Sequence, residues 1–479
     1  MGKINIFGFV KKYQFFIAIG IIVFIFYTFN LNRSTRFIWD ESRALVDMHR
    51  IWEQKLITFV GPISEDNLEM FPSLSYYMYL PGAILTKFDP LGPVYMAVLF
   101  GMFAWIIFTI VIVKKIGIGL KSFLFSLFVG ILNPVLIASR WAWNPNPVIF
   151  WMMLFISSLF FETPIVLFLG GVSLGATLYH HYLAAFGVIP ALIFLPVFYK
   201  NNKHIFRNIG FTISGFIFSI IPFALFEIKN HYFLNSASFL ASNQKSFTTF
   251  SIIGYWERLW NSIVIFAAMF FPNNLFFTIF CIAMFTGLFL IFKRDNTIRY
   301  AFLSLVFSFL LFGFVRVTYS HYQYIQVGFA LLFVFGYLMV TKSMFGKFAI
   351  SLLLVSALFM GIRQINQFTW QGDIDAVRKI SSIISLETES KVNIAAISSA
   401  DPNTTGQKYR DMLLIGGKTL DAYNKYPEDK VLYVVSNSLD QAEIRTDPAW
   451  EMQPFRGAII THTWKVSNYP TYLYRFEKI

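Results

Sequence analysis

The chain has 479 residues, of which 56% are hydrophobic and only 14% are charged, and its mean hydropathy is +0.58. Soluble domains carry about 25% charged residues, so this composition excludes an ordinary soluble globular protein. The formal net charge is +13, and Cys281 is the only cysteine in the sequence, which excludes an internal disulfide and a cysteine-based metal site.

Apolar runs long enough to cross a hydrocarbon core of about 30 Å recur along the chain. The first run lies behind Lys3, Lys11 and Lys12 and has no small-residue cleavage site, so we interpret it as a retained signal anchor. We predict about eleven spans, at 13–30, 91–113, 122–139, 147–162, 164–179, 182–199, 207–227, 274–293, 299–316, 322–341 and 347–363. Two further runs, 71–87 and 257–272, are predicted to be interfacial or re-entrant segments.

Basic residues are unevenly distributed over this topology. With the N-terminus in the cytoplasm, Lys and Arg strongly outnumber Asp and Glu in the cytoplasmic segments, whereas the outer loops and the region after Ile362 are nearly balanced. This is the positive-inside pattern, and it explains the net charge without a nucleic-acid partner. We therefore predict a multi-pass protein of the inner (plasma) membrane, with a cytoplasmic N-terminus and an extracytoplasmic C-terminal domain.

The composition changes sharply after residue 363. Residues 1–363 are predicted to form a transmembrane domain, in which 31–90 is a long first outer loop with interfacial helices. Residues 364–479 are predicted to form a small soluble α/β domain, with a helix in DIDAVRKISSIISLE, strands in KVNIAAIS and KVLYVVSN, and a hairpin in GAIITHTWKV…TYLYRFEKI. The predicted fold class is thus a polytopic α-helical membrane protein with a C-terminal α/β domain.

An acidic pair, Asp40-Glu41, follows the first span in the run FIWDESRALVDMHRIW. The apolar positions after it form one stripe of an amphipathic helix, predicted to lie along the membrane surface: Ala44, Leu45, Met48, Ile51 and Trp52. Asp40 then falls at the N-cap and Glu41 in the first turn, where acids are also favoured for purely structural reasons. The functional alternative is that Asp40, partly desolvated and one turn before Arg43, acts as a general base for a hydroxyl.

Two further motifs fall on the predicted outer face. Arg140, in SRWAWNPNPV, can hold a lipid phosphate in a bidentate fork, or it can extend to the membrane surface without a ligand. His180 and His181, in TLYHHYLAAF, can contact phosphate or sugar, or can form a polar interfacial turn. Adjacent histidines on a helix diverge by about 100°, which disfavours a metal ion shared by the two.

The remaining candidates are Lys229 and His231 in FEIKNHYF and His321 and Tyr322 in YSHYQY. All of these clusters lie on one predicted face, so we expect them to form one site, although outer loops also collect polar residues. The sequence contains no Walker-type glycine loop, no GxSxG elbow and no HExxH motif.

In this order, the clusters resemble the GT-C glycosyltransferases that use polyprenyl-phosphate sugars, the group that contains protein O-mannosyltransferases and aminoarabinose lipid A transferases. The matching features are the acidic pair, FPSLSYYMYLPG, SRWAWNPN, the HH element and a late HY before a span. The segments SRWAWNPN, LFEIKNHYF and KYRDMLL are similar to a bacterial branch of that family. The likeness to the superfamily covers roughly residues 10–363.

The resemblance implies an inverting transferase on the outer face of the membrane. Asp40 would deprotonate a hydroxyl acceptor on a protein, a lipid or a cell-envelope glycan, and Glu41 would orient a substrate or a neighbouring Arg. The polyprenyl phosphate would leave, and its charge would be stabilised by cations drawn from Arg140, His180 or His181, and Lys229. The family has metal-dependent and metal-independent members; the acidic pair does not decide between them, and no metal ligand or other cofactor is assigned.

The alternative is a membrane protein for polysaccharide export or polymerisation that uses no sugar-phosphate donor. Such a protein would share the basic cytoplasmic face and the aromatic outer loops. It would also need charged groups within the spans or a lumen that crosses both leaflets.

Overall fold

The structure is a computed structural model that describes residues 6–63, 70–230, 251–315, 319–341, 344–367, 374–387, 391–397, 406–421, 423–466 and 470–479. In chain order, the helices are α1 (Ile6–Thr28), α2 (Leu31–Ser34), α3 (Trp39–Gln54), α4 (Leu74–Leu85), α5 (Leu91–Ile116), α6 (Leu120–Ile131), α7 (Asn133–Arg140), α8 (Val148–Leu159), α9 (Pro164–His180), α10 (Ala185–Ile193), α11 (Leu195–Phe198), α12 (Ile205–Lys229), α13 (Ile252–Ala267), α14 (Leu275–Phe292), α15 (Asn296–Phe312), α16 (Tyr324–Val340), α17 (Met344–Gln367), α18 (Ile374–Ser385), α19 (Gln407–Ile415) and α20 (Gln441–Thr446). The strands are β1 (Val60–Ile63), β2 (Met70–Pro72), β3 (Lys391–Val392), β4 (Ile394–Ala396), β5 (Thr419–Leu420), β6 (Val431–Ser436), β7 (Ile459–Lys465) and β8 (Tyr472–Glu477).

The chain folds into two compact units. The larger unit is built from Met1–Phe29, Phe59–Tyr77 and Ala97–Gln364, and the smaller unit from Asn30–Thr58, Met78–Met96 and Ile365–Ile479. Much of the first loop therefore belongs to the same unit as the C-terminal region.

Apolar helices dominate the larger unit. Four described stretches are long and apolar enough to cross a membrane: Leu91–Ile116, Ile205–Lys229, Leu275–Phe292 and Ser320–Val340. A fifth arises if α6 and α7 count as one span, and six shorter apolar helices occupy the other predicted spans: Gln14–Thr28, Val148–Leu159, Pro164–His180, Tyr182–Ile193, Asn296–Phe312 and Ile350–Arg363. A mostly helical protein with several membrane-span candidates is thus confirmed, while the number eleven stays a prediction.

The run predicted as a single span at 122–139 is bent. Helices α6 and α7 meet at an angle of 49°, because Leu132 between them adopts a ψ of 130°. Pro134, at the start of α7, has no N–H to donate back into α6. The run at 182–199 is also broken, into a 3-10 turn, α10 and α11.

Close helix packing organises this unit. Helices α9 and α12 touch through glycine: a Cβ added at Gly171 would lie 1.9 Å from the carbonyl oxygen of Thr212, and one at Gly215 would lie 1.9 Å from that of Phe168. Small residues allow helices in an apolar environment to gain van der Waals contact at short range. Helix α16 is enclosed by its neighbours, since every residue from Tyr324 to Leu338 is buried.

The smaller unit carries the mixed sheet. Its four strands run in the order β4-β6-β8-β7, with β4 parallel to β6 and the other neighbours antiparallel. Buried side chains of the sheet pack with Ile444 of α20 and with Met452 and Phe455. The helix expected in DIDAVRKISSIISLE, the two predicted strand segments and the closing hairpin are all present as α18, β3 with β4, β6, and β7 with β8.

Candidate active site

Helix α3 of the smaller unit carries the acidic pair. The helix begins at Trp39 with Ile38 as its N-cap, so the placement of Asp40 at the N-cap was wrong by two positions. The cap is provided by Glu41, whose Oε2 accepts a hydrogen bond from the Ile38 N–H at 2.8 Å. Asp40 is half-buried and Glu41 is buried, and the Arg43 guanidinium lies 5.4 Å from the centre of the Trp39 ring.

The buried face of α3 contacts another helix. Leu45, Met48 and Ile51 are buried as predicted, but Ala44 is half-buried and Trp52 is 40% exposed. Helix α19 packs on α3, and the Ser42 hydroxyl donates to Asp411 Oδ2 at 2.7 Å. The sequence signal for this contact was Ser42, a polar residue at a position of α3 that falls on its otherwise apolar face. Sequence reasoning missed it because Ser42 and Asp411 are 369 positions apart.

Arg140, in the larger unit, lies against the C-terminal end of α1. Its Nη1 donates to the Phe26 carbonyl, and its Nη2 donates to the Phe29 carbonyl at 2.6 Å. The last carbonyls of a helix have no partner within that helix, and a cation is favourable there because of the helix dipole. These contacts give Arg140 a structural role, while its proposed phosphate contact stays a prediction.

Three of the predicted outer motifs meet in a chain of rings in the larger unit. Trp141 and Trp143 stack at 4.4 Å between ring centres, and Trp143 meets His321 edge-on at 4.2 Å. His321 contacts Tyr322, which stacks on His181 at 4.1 Å. Side chains of SRWAWNPN, the HH element and the HY element are thus in contact within this unit, while a single site that also includes the acidic pair stays a prediction.

His180 is held by protein groups through both ring nitrogens. The Trp151 Nε1–H donates to His180 Nε2 at 3.0 Å, and His180 Nδ1 lies 2.9 Å from the carbonyl oxygen of Asn144. Since indole N–H can only donate, Nε2 is the acceptor and the Nδ1–H donates to Asn144. The Asn144 side-chain amide returns a bond to the His180 carbonyl at 2.6 Å. His180 thus joins α9 to the loop after α7, and these contacts lend no support to a ligand role.

His181 lies in the turn between α9 and α10, outside both helices. Its Nδ1 accepts from the Leu183 N–H at 3.2 Å, and its ring centre lies 5.3 Å from that of Phe71 and 4.1 Å from that of Tyr322. Burial lowers the pKa of His181 to about 3. The imidazole is therefore neutral near pH 7, and it can offer a substrate a hydrogen bond from Nε2 but no positive charge.

The other predicted residues are less informative. Lys229 is exposed at the end of α12, and His231 lies outside the described residues. Among the residues that the structure describes, no group of three His, Cys, Asp or Glu side chains is placed to hold a metal ion.

These helices and the small C-terminal sheet form a fold similar to that of solved membrane glycosyltransferases of the GT-C type. The match covers 97% of this chain and 98% of ArnT from Cupriavidus metallidurans bound to undecaprenyl phosphate, with a TM-score of 0.58 and 11% identity. The apo form of the same ArnT matches with a TM-score of 0.55 and 10% identity over 96% of this chain and 97% of that one. A weaker similarity, with a TM-score of 0.48 and 10% identity, relates 90% of this chain to 69% of the oligosaccharyltransferase of Archaeoglobus fulgidus. No family model and no curated protein matches the sequence. The resemblance inferred from the motifs is confirmed at the level of the fold.

Proposed function

We propose that this protein is an inverting membrane glycosyltransferase that moves a sugar from a polyprenyl-phosphate donor to a hydroxyl acceptor on a protein, a lipid or a cell-envelope glycan. The observation that carries the proposal is the near-complete fold match to ArnT bound to undecaprenyl phosphate. The motifs add to it: an acidic pair at the start of α3 and an aromatic–histidine cluster in the larger unit.

In the proposed reaction the Asp40 carboxylate takes the proton of the acceptor hydroxyl. The hydroxyl oxygen forms a bond to the anomeric carbon, the bond from that carbon to the phosphate oxygen breaks, and the polyprenyl phosphate leaves with the electron pair. Asp40 suits this role because it is half-buried and lies in the first turn of α3, which packs on α19. A general base typically contributes about 10²–10⁴-fold. Arg43, one turn later, is the nearest cation on the same helix for the developing phosphate charge. His181, His321 and Tyr322 are proposed as substrate contacts.

The proposal includes the topology expected from the charge distribution. Residues 1–363 form the membrane-spanning domain with about eleven spans, in the pattern of basic cytoplasmic loops. Residues 364–479 form a domain on the outer side of the plasma membrane, where the lipid-linked donor would be used.

The test uses membrane vesicles that contain the protein and a panel of undecaprenyl-phosphate hexoses and pentoses labelled in the sugar. Transfer to endogenous acceptors is followed in wild type, Asp40→Asn and Glu53→Gln, the last being an exposed acid on the same helix. We expect transfer by wild type and Glu53→Gln, and a loss of about 100-fold or more in Asp40→Asn. Wild-type transfer by Asp40→Asn at normal expression would remove Asp40 as the base, and no transfer from any donor by wild type would remove the function.

A further inference from the structure

The contact between α3 and α19 bears on the proposed base, since Asp40 and Ser42 share the first turns of one helix. Ser42 has no exposed surface and Asp411 is 3% exposed. Asp411 accepts through both oxygens, from the Ser42 hydroxyl at 2.7 Å and from the Gln407 side-chain amide at 2.8 Å. A buried carboxylate that receives two donors is a strong and directional anchor.

Helical geometry separates this anchor from the acid that precedes it. Residues in an α-helix advance by about 100° each, so positions 40 and 42 lie about 200° apart around the axis. Ser42 faces α19, and Asp40 therefore projects from the opposite side of α3. The C-terminal region therefore packs on the face of α3 opposite to the face that carries the Asp40 carboxylate.

Helix α19 also begins close to the sheet. Its N-cap, Gly406, has a φ of +86°, and a Cβ there would lie 3.0 Å from the backbone nitrogen of Ala396 in β4. Only glycine adopts this left-handed conformation at low cost. A continuous path therefore runs from the sheet through Gly406 and α19 to Asp411 and Ser42.

We propose that Asp411 is a positioning residue for Asp40, acting through Ser42, and that the C-terminal region is in this way part of the catalytic machinery. The proposal rests on the function proposed above. It assigns the KYRDMLL segment a role in the rate of the chemical step, beyond the stability of the C-terminal domain. Misplacement of a catalytic group by about 1 Å costs up to about 100-fold in rate.

The chemistry of the pair provides both disruptive and conservative variants. Ser42→Ala and Asp411→Ala each remove the bond. Asp411→Asn retains it, because the amide nitrogen can donate to the Ser42 oxygen while the amide oxygen accepts from Gln407. Asp440→Ala is the matched control, since Asp440 is an exposed Asp that caps α20 by accepting from the Ala442 N–H at 2.9 Å.

The measurement is kcat and KM for the panel donor that wild type uses best, with the pH profile of kcat. We expect kcat to fall about tenfold in Ser42→Ala and Asp411→Ala with KM within about twofold, and to recover to within about threefold of wild type in Asp411→Asn. The loss of kcat in the double variant should be smaller than the product of the two single losses, because both variants remove the Ser42–Asp411 bond. Asp411→Ala also removes the bond from Gln407, and Ser42→Ala also removes the contact of the hydroxyl with the Trp39 carbonyl. The acid limb of the profile should move in the disruptive variants and stay in place in Asp440→Ala, since only a change around the base affects its ionisation.

A wild-type kcat and pH profile in Ser42→Ala, or equal losses in Asp411→Ala and Asp440→Ala, would overturn the positioning role. If Asp411→Ala does not fold, Ser42→Ala carries the same test because it removes a single oxygen. Donor transfer by wild type that is lost in Asp40→Asn but unaffected in Ser42→Ala overturns this inference alone. The absence of transfer from every donor overturns the proposed function itself.

Discussion

Arg378 of α18 donates to both carboxylate oxygens of Asp89, from Nε to Oδ2 and from Nη2 to Oδ1, each at 2.6 Å. Asp89 also caps the start of α5, where its Oδ1 accepts from the Leu91 N–H at 2.9 Å. The Asp89 carboxylate raises the pKa of Arg378. A residue of the C-terminal region is thus tied to the segment that begins the first long apolar helix after the loop.

Replacement of Arg378 by Ala should loosen this tie. We expect a loss of about 1 kcal/mol in unfolding free energy, because the pair is bidentate but about one-third exposed. Thermal unfolding of the purified protein measures the loss of stability, and limited proteolysis shows whether the C-terminal region has become easier to cleave. Arg50→Ala is the control, since Arg50 is 63% exposed and pairs with Asp47 on its own helix at 3.6 Å. Equal behaviour of the two variants would show that the Asp89 contact contributes nothing.

The apolar runs, the helix α18 and the β7–β8 hairpin follow from local patterns, and the sequence was sufficient to predict them. The break at Leu132 was not predictable from hydropathy, because the apolar pattern continues through it and only the position of Pro134 interrupts the hydrogen bonds. Partners far apart in sequence carry no local signal at all. Arg140 and Phe29 are 111 positions apart, and Arg378 and Asp89 are 289 apart.

The sequence predicted which polar residues are candidates for a site more than how they contact one another. The motifs with Arg140, His181 and Tyr322 were expected on one face, whereas the ring contacts of Trp143 with His321 and of Tyr322 with His181 were not predicted. Nor was the use of both His180 ring nitrogens by Trp151 and Asn144, since adjacent histidines look alike in a sequence and differ only in what surrounds them.

Glu41 should contribute to the helix more than to proton transfer. Glu41→Ala removes the bond to the Ile38 N–H and should cost about 1 kcal/mol of stability. Glu41→Gln keeps an acceptor oxygen, so sugar transfer should stay within about threefold of wild type, far above Asp40→Asn. Unfolding curves and donor kinetics of the three variants separate the two roles. If Glu41→Gln is as inactive as Asp40→Asn, Glu41 takes part in the chemistry.

Arg140→Ala should destabilise the larger unit. It leaves the Phe26 and Phe29 carbonyls without their donor, and we expect a cost of about 3 kcal/mol, as bonds from a charged donor are worth about 1.5–3 kcal/mol. Arg258→Ala is a matched control, because Arg258 donates to the Gly313 carbonyl through Nε at 2.9 Å in a partly buried site, and it should cost less. Thermal unfolding in detergent ranks the two. An unchanged unfolding temperature in Arg140→Ala with a raised donor KM would favour the phosphate contact instead.

His181 should make the stability of the larger unit depend on pH. Its folded-state pKa of about 3 lies below the unfolded value of about 6.5, so between these values the unfolded chain binds the additional proton. Stability contributed by the neutral ring is then fully present above about pH 6.5 and is lost as the pH falls, with a limiting slope of about 1.4 kcal/mol per pH unit. The measurement is the slope of the unfolding free energy against pH between pH 6 and pH 4.5, a window chosen from those two pKa values. His181→Gln should reduce this slope by up to about 1.4 kcal/mol per pH unit, which corresponds to one proton.

Trp143→Phe is the control for the His181 variant. It disturbs the same ring cluster but removes no titrating group, so it should lower stability equally at pH 6 and at pH 4.5. A slope unchanged in His181→Gln would mean that the ring takes up its proton in the folded protein as readily as in the unfolded chain.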